Sequence, residues 1–275
     1  MRLAAWLLLL HLRVPSSTAA TSNLVAFVSH TNKSKLQKRY TQTNINMSTP
    51  VSMDSPSAHR NKDPIWQVIQ KEILTLLPKD QLTVMEIAAG CGVHCEHFAS
   101  KMNEMNPNLK LKWYPTDPDP PSLQALQERI SNLGNVKLKK SIQTLPLTLN
   151  EEGIMEDETS KIIHQHSESE DPIHFMMCIN MIHISPWTAT LGVFHVASAC
   201  LAKDGVLMTY GPYKENGTAV ESNLRFDASL KSRNVEWGVR DIEKVIDVAE
   251  SKGFSLKQKI EMPANNLCLI FQKKE

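Results

Sequence analysis

The stretch LTVMEIAAGCGVHCEHF, Leu82 to Phe98, limits the folds open to this chain more than any other. Its apolar run is continuous rather than alternating, as in a strand covered on both faces, and such strands belong to parallel sheets flanked by helices. Two glycines, Gly90 and Gly92, then turn the chain into residues that carry a helix. Without a Cβ at such a turn, a ligand can approach the backbone, and the following helix start favours electron-rich groups. The turn has G-x-G, but Cys95 stands where a dinucleotide fingerprint has its third glycine, so the motif alone does not choose a ligand.

The remaining chain repeats the same alternation. PIWQVIQKEILTLL places Ile65, Val68, Ile69, Ile73 and Leu76 on one helical face, with Pro64 near the helix start. LKLKWYPTD predicts the second strand, PSLQALQERISNL a helix, and NVKLKKSI a third, very basic strand. From Gln143 to Pro172 the chain is polar and acidic, which reads as a crossover with a short helix and a mobile loop. IHFMMCINMI is a buried strand, and Trp187, Leu191, Phe194, Ala197 and Leu201 are spaced for a core-facing helix. GVLMTYGP is the fifth strand, and residues 240 to 251 form a helix stopped by Gly253. FSLKQKIEM and LCLIFQK, joined by PANN, predict a closing hairpin with Asn265 and Asn266 suited to positive φ. The expectation is an α/β domain with a mostly parallel sheet and one antiparallel strand at its end.

Charge narrows the function. The chain has 30 Lys and Arg against 29 Asp and Glu. The first 53 residues hold no acid and six bases (Arg2, Arg13, Lys33, Lys35, Lys38, Arg39), leaving about −5 on the rest, so no strong nucleic-acid field is expected. Residues 1–53 read as a disordered or targeting leader and 54–275 as the folded domain. The leader's apolar run, Leu3 to Leu12, is too short to span a bilayer as a helix. It fits a secretory signal, a mitochondrial presequence, or residues upstream of a start at Met47 or Met53. Five cysteines, Cys91, Cys95, Cys178, Cys200 and Cys268, fall in core-like stretches and argue for reduced thiols inside the cell, with the cytoplasm expected first. His94, Cys95 and His97 have no second cluster at ligand spacing, so no metal site is expected.

Glu86 sits inside the first strand, where an unpaired carboxylate is costly. There it orients amides of the turn, meets a backbone or lysine partner, or faces a cationic ligand; S-adenosylmethionine carries both an ammonium and a sulfonium. Asp117 ends the second strand 25 residues after Gly92, within reach of ribose hydroxyls in a doubly wound sheet, with Asp119 as the alternative or as a helix cap. An NAD-dependent oxidoreductase shares the first half of this topology, but the missing third glycine and the position of Glu86 count against it.

The segments EIAAGCGVHCEHFA, WYPTDPDPPSL, CINMIHISPW, YGPY, ESNLRFDASL, WGVRD and MPANN occur in this order. Together they closely resemble the S-adenosylmethionine-dependent methyltransferase-like family whose vertebrate member is called methyltransferase-like protein twenty-six, over about Arg60 to Lys273. The resemblance implies a class I methyltransferase fold, a seven-stranded, mostly parallel Rossmann-like sheet with helices on both faces and a C-terminal antiparallel hairpin. It implies S-adenosylmethionine as cofactor and leaves the methyl acceptor and oligomeric state open. Cys91 stands where relatives often have Thr, and KLKKSIQ replaces the segment carrying the acid that meets adenine; Ser141 or Gln143 are the substitutes at hand.

Glu86, Gly90, Gly92, Asp117 and Asn180 are thus the candidate cofactor residues. Methyl transfer needs alignment more than side-chain chemistry. At the end of the fourth strand, Asn180 is placed to hold an acceptor and His183, titrating near neutrality, to take its proton; Tyr210 and Tyr213 flank Gly211-Pro212 at the end of the fifth strand, as lining of an acceptor pocket or as packing residues. His183 also fits a structural role, Ser185 and Pro186 read as cap and first helical residue, and Glu221, Asn223, Arg225 and Asp227 form a polar cluster at a cofactor cover or a solvated helix start. Trp237 reads as a packing residue, with Arg240 and Asp241 paired or opening the last helix. A non-catalytic cofactor-binding or scaffolding protein on the same fold is the other reading.

Overall fold

The computed structural model describes residues 55–150, 153–154, 166 and 172–274. The leader and most of the acidic crossover, and the expectations placed on them, lie outside the described residues.

Helix α1 (Pro56–Val68) runs on through a π-helical turn, Ile69–Ile73, and leads to strand β1 (Gln81–Ile87) and helix α2 (Val93–Met105). Next come β2 (Lys110–Asp117), α3 (Pro120–Ser131), α4 (Val136–Ser141) and the two-residue edge strand β3 (Leu145–Pro146). Strands β4 (Leu149–Asn150) and β5 (Gly153–Ile154) make a small separate hairpin. The chain resumes with β6 (Ile173–Ile179), α5 (Trp187–Cys200), β7 (Leu201–Gly211) and β8 (Tyr213–Lys214). It closes with α6 (Glu221–Arg233), β9 (Arg240–Asp241), α7 (Ile242–Ser251), β10 (Phe254–Met262) and β11 (Asn266–Lys273).

Seven strands form one sheet in the order β10-β11-β7-β6-β1-β2-β3. Pairs β1–β2, β1–β6, β2–β3 and β6–β7 are parallel, and β11 runs antiparallel to both β7 and β10. The continuous apolar run of β6 resolves into alternate faces: Phe175, Met177 and Ile179 join the core beneath α1 to α4, while Ile173, Met176 and Cys178 join the core beneath α5 and α7. A strand in the middle of such a sheet has no solvent side, which is why its sequence does not alternate. All five cysteines are buried, and among the described residues none forms a disulfide. Among the described residues no helix is long and apolar enough to cross a membrane.

Five local expectations are corrected. NVKLKKSI is the short helix α4 rather than the third strand; Asn135 caps it by accepting from the Leu138 amide at 3.0 Å, and only Leu138 of the helix is buried. The third strand is β3, pairing through Leu145 and Pro146 with Thr116 and Asp117. The first helix begins eight residues before Pro64, with Pro56 in its first turn, the position where a missing N–H is harmless. Leu76 is 47% exposed while Leu77 is buried, because the wider π turn rotates the face that a 3.6-residue period would place on the core. In the hairpin turn, positive φ falls on Ala264 (59°) and Asn265 (57°), one residue earlier than the two asparagines predicted. Helix α5 starts at Trp187 with Pro186 as its cap residue, so Ser185 does not cap it.

Candidate functional site

The chain builds β1, β2 and β3 outward to one side, then crosses back to place β6 on the other side of β1. At such a switch point the connections leave in opposite directions, opening a crevice at the carboxyl ends of the strands. Ala88 follows β1 with φ 56° and Asn180 follows β6 with φ 58°, two residues other than glycine in the left-handed region. That conformation is uncommon for such residues and is often found where a loop is shaped for a ligand. The Asn180 amide is held by the Tyr210 carbonyl at 2.8 Å.

The glycine turn is fixed from the neighbouring strand. Asp117 accepts from the Gly90 amide at 2.8 Å through Oδ2 and from the Asp119 amide at 3.0 Å through Oδ1. The Ala89 amide donates to the Thr116 carbonyl at 2.8 Å. Burial raises the pKa of Asp117 above its usual value against the pull of those two amides. Asp119 is the N-cap of α3, accepting from the Ser122 amide at 3.0 Å. Gly90 has φ 55° and nothing within 4 Å of where a Cβ would stand, so the turn presents bare backbone to an open space. Gly92, at φ 81°, serves packing instead: a Cβ there would lie 3.0 Å from Leu126 Cγ on α3.

Glu86 lies behind this turn. It is 1% exposed and shares its face of β1 with Val84 and Trp113, so it is not among the residues lining the crevice. Burial raises its pKa to about 8; the Trp113 indole opposes that and the Asp117 charge adds to it. Neither Glu86 Oε2 nor Trp113 Nε1 completes a hydrogen bond. His94 Nδ1 is 4.0 Å from Glu86 Oε1 and His94 Nε2 is 2.7 Å from Asn61 Oδ1. Burial lowers the His94 pKa to about 4, so near pH 7 this contact joins a neutral ring to a largely protonated carboxyl and is not an ion pair. His97 turns to Asp63 at 3.0 Å and Cys95 is fully buried, so His94, Cys95 and His97 do not converge.

Two cavities meet here. The smaller, about 250 Å³, is lined by Gly90, Asp117, Asn180 and His94 among others. The larger, about 990 Å³, is lined by Asn180, His183, Tyr210, Asn61 and the hairpin turn Pro263–Asn266. Ser55, Ser57, Asn180 and Ile184 line both. The smaller alone falls just below the usual span of ligand pockets, roughly 300–1,000 Å³, and the pair together exceed it. Gly90, Asp117 and Asn180 thus come together at one cavity, and Asn180, His183 and Tyr210 at the other.

His183 is buried, packs edge-on against Phe226 with ring centroids 5.5 Å apart, and would lie 3.2 Å from a Cβ at Gly211. Burial, with the charge of Arg240, lowers its pKa to about 4, which corrects the expectation that it titrates near neutrality. Arg240 binds the carbonyls of Ile182 (3.2 Å) and Ser185 (2.6 Å) and holds the loop carrying His183; it does not pair with Asp241. Burial also raises the pKa of Tyr210, whose hydroxyl meets the Asn61 and Asn266 side chains. Tyr213 is engaged elsewhere, its hydroxyl donating to Thr209 at 2.8 Å.

The polar cluster of α6 is structural in part. Asp227 accepts from Lys214 (2.7 Å), Lys231 (2.8 Å) and the Val239 amide (2.8 Å), while Glu221 and Arg225 pair on the exposed face. Ser141 bonds back to the Lys137 carbonyl at 2.9 Å and Gln143 is exposed, so neither lines the two cavities. Sequence reasoning missed the start of α1, whose Ser55, Ser57, Arg60 and Asn61 line the larger cavity. The signal was present as Ser55 followed by Pro56, a cap residue with proline at the first helical position.

The sheet order, the reversed last strand and the crevice define a class I methyltransferase fold. Solved structures agree on the fold. The mitomycin 7-O-methyltransferase MmcR matches with TM-score 0.55 and 15% identity over 78% of this chain and 54% of that one. The CurJ carbon methyltransferase matches with TM-score 0.55 and 18% identity over 81% and 56%, and LepI in complex with SAM with 0.51 and 15% over 77% and 47%. The chain spans about half the length of these proteins. By family, the chain belongs to DUF938, described as a protein of unknown function, whose model matches residues 52–273.

Proposed function

We propose that this chain is an S-adenosylmethionine-dependent methyltransferase acting on a small molecule or protein side chain, of the methyltransferase-like protein twenty-six type. The reading is carried by one observation: bare backbone at Gly90, pinned to Asp117, opens at the switch point directly beside a second, larger cavity. The likeness to structures named as methyltransferases, one of them in complex with SAM, supports it. The seven ordered sequence segments support the finer family assignment.

When bound, S-adenosylmethionine supplies a methyl group made electrophilic by its sulfonium. Gly90, Asp117 and Asn180 are the residues that would hold it, and Glu86 acts from behind the turn rather than by contact. Asn180, on the wall of both cavities, holds an acceptor O–H or N–H toward the crevice. His183 stays neutral near pH 7 and accepts a hydrogen bond from the acceptor; with a pKa of about 4 it is too weak a base to keep the proton, which passes to solvent. Tyr210, protonated at neutral pH, offers its hydroxyl to the same cavity. Five buried cysteines outside any disulfide support an intracellular, reducing setting.

Calorimetry on the full chain with S-adenosylhomocysteine and with NAD tests this, together with a search for metabolites that gain label from methyl-labelled S-adenosylmethionine. Micromolar affinity for the thioether, none for NAD, and label transfer are expected. No affinity for the thioether would overturn the reading. Affinity without transfer would favour a cofactor-binding protein that does not methylate, a second reading kept by Ser141 and Gln143, which supply no acid at the crevice.

A further inference from the structure

We infer that the larger cavity takes a small acceptor with an anionic group, carboxylate or phosphate, on a flat apolar body; this rests on the proposed methyltransferase reading of the same site. The walls divide by chemistry. Arg60 of α1 and Arg233 at the end of α6 bring two guanidinium groups to the cavity, and no carboxylate of the described residues lines it. The acids nearby are used elsewhere: Asp63 faces His97, Glu221 pairs with Arg225, and Asp227 holds Lys214 and Lys231.

The two arginines differ in readiness. The Arg60 guanidinium makes no hydrogen bond or ion pair among the described residues. Arg233 is held along its stem, with Nε on the Ser229 carbonyl at 3.2 Å and the guanidinium carbon 5.8 Å from the Trp237 ring centroid, while its terminal nitrogens make no hydrogen bond among the described residues. A guanidinium fixed in this way matches carboxylate or phosphate oxygens through paired N–H donors at little entropic cost.

Opposite character appears on Phe226 and Ile184, both on the cavity wall and 37% and 43% exposed. Apolar side chains left open beside a concave polar site mark where a ligand's apolar body lies. Between these poles stand five asparagines, Asn61, Asn180, Asn223, Asn265 and Asn266, which bring hydrogen bonds without charge. His183 adds none near pH 7. At about 990 Å³ the cavity is at the upper end of the small-molecule range, and among the described residues that line it the only formal charges are positive.

The test measures binding to the full chain in the presence of saturating S-adenosylhomocysteine. The probes are para-hydroxyphenylacetate, phenyl phosphate and, as the neutral match, para-hydroxyphenylacetamide. At least one anion should bind about tenfold or more tightly than the amide, the range for one charge-assisted contact. The double variant Arg60→Gln, Arg233→Gln should remove that preference while the amide and S-adenosylhomocysteine bind as before. An amide that binds as well as both anions, a preference that survives in the double variant, or no binding by either anion would overturn the inference. Because S-adenosylhomocysteine is measured alongside, loss of the cofactor reading shows as failure of that ligand alone, with the anion preference intact.

Discussion

The two cavities that share Asn180 are built on opposite plans. The smaller has backbone at the strand ends in its frame: the Gly90 amide is fastened to Asp117 and the Ala89 amide to the Thr116 carbonyl. The larger adds side chains from α1, α6 and the hairpin turn to Asn180, His183 and Tyr210 at the ends of the central strands. A site made by fixed backbone suits one invariant ligand, while a site made by exchangeable side chains suits a ligand that differs between relatives. Under the proposed methyltransferase reading, the constant half of the reaction lies on the sheet and the variable half on its rim.

The sharpest test of that division is Gly90→Arg. The side chain would fill the open space beside the turn, and S-adenosylhomocysteine affinity should fall at least about 100-fold, roughly 2.7 kcal/mol. The left-handed φ of 55° adds about 1–2 kcal/mol of strain, a drop of a few degrees in Tm. Anion binding in the larger cavity should persist; its simultaneous loss would show that the cavities are one site.

A smaller effect follows from Asp117→Asn, which replaces one of the two carboxylate acceptors with an amide donor. Cofactor affinity should fall about tenfold by calorimetry, the scale of one lost charged hydrogen bond, again without change in anion affinity. Equal affinity in the variant would remove Asp117 from the frame of the smaller cavity.

Below these comes a pH effect behind the turn. Glu86, with a folded pKa of about 8 against 4.5, binds a proton in the native state that the unfolded state has lost, so its contribution falls as pH rises from about 4.5 to 8. His94 and His183, lowered to about 4, act oppositely, but only between about 4 and 6.5. From pH 6.5 to 8 the Glu86 slope stands without them. Denaturant unfolding should show stability falling by roughly 2 kcal/mol across that window, and Glu86→Gln should flatten it. A flat wild-type profile would mean that Glu86 is ionised.

The smallest change is expected from His183→Gln on the larger cavity: turnover reduced several-fold, with the pH dependence of kcat between 5 and 8 unaltered, since the imidazole is neutral throughout that range. A limb near pH 6.5 that vanishes in the variant would show that the ring titrates in the working site.

Where structure follows from local chemistry, the sequence was sufficient. The apolar run of β6, the glycine turn after β1 and the reversed hairpin at the end could be read because a doubly buried strand, a bare-backbone turn and a PANN corner each leave a signature in a few adjacent residues. Gly90, Asp117, Asn180 and Tyr210 lie at or just beyond strand ends, and His183 in the turn that follows β6, which is why the sequence pattern put them beside the crevice. The failures share another cause. KLKKSI took its helix from the Asn135 cap rather than from periodicity, and Leu76 lost its place to Leu77 through a π turn that no 3.6-residue count foresees. Which acid orients the turn was a question of face: Glu86 points behind the sheet strand and Asp117 meets the amide. The low pKa of His183 comes from burial and from Arg240, 57 residues further along the chain.

The hairpin turn that walls the larger cavity also sets how such a protein can diversify. Pro263–Asn266 projects from β10 and β11, with no buried side chain in the turn itself, so replacing it leaves the central packing untouched. Yet Ala264 and Asn265 both hold left-handed backbone, a shape that Asn, Asp and Gly accept most readily. Substitutions in these four residues therefore reshape the wall of the larger cavity without touching the core, with the choice of residue narrowed at the two left-handed positions.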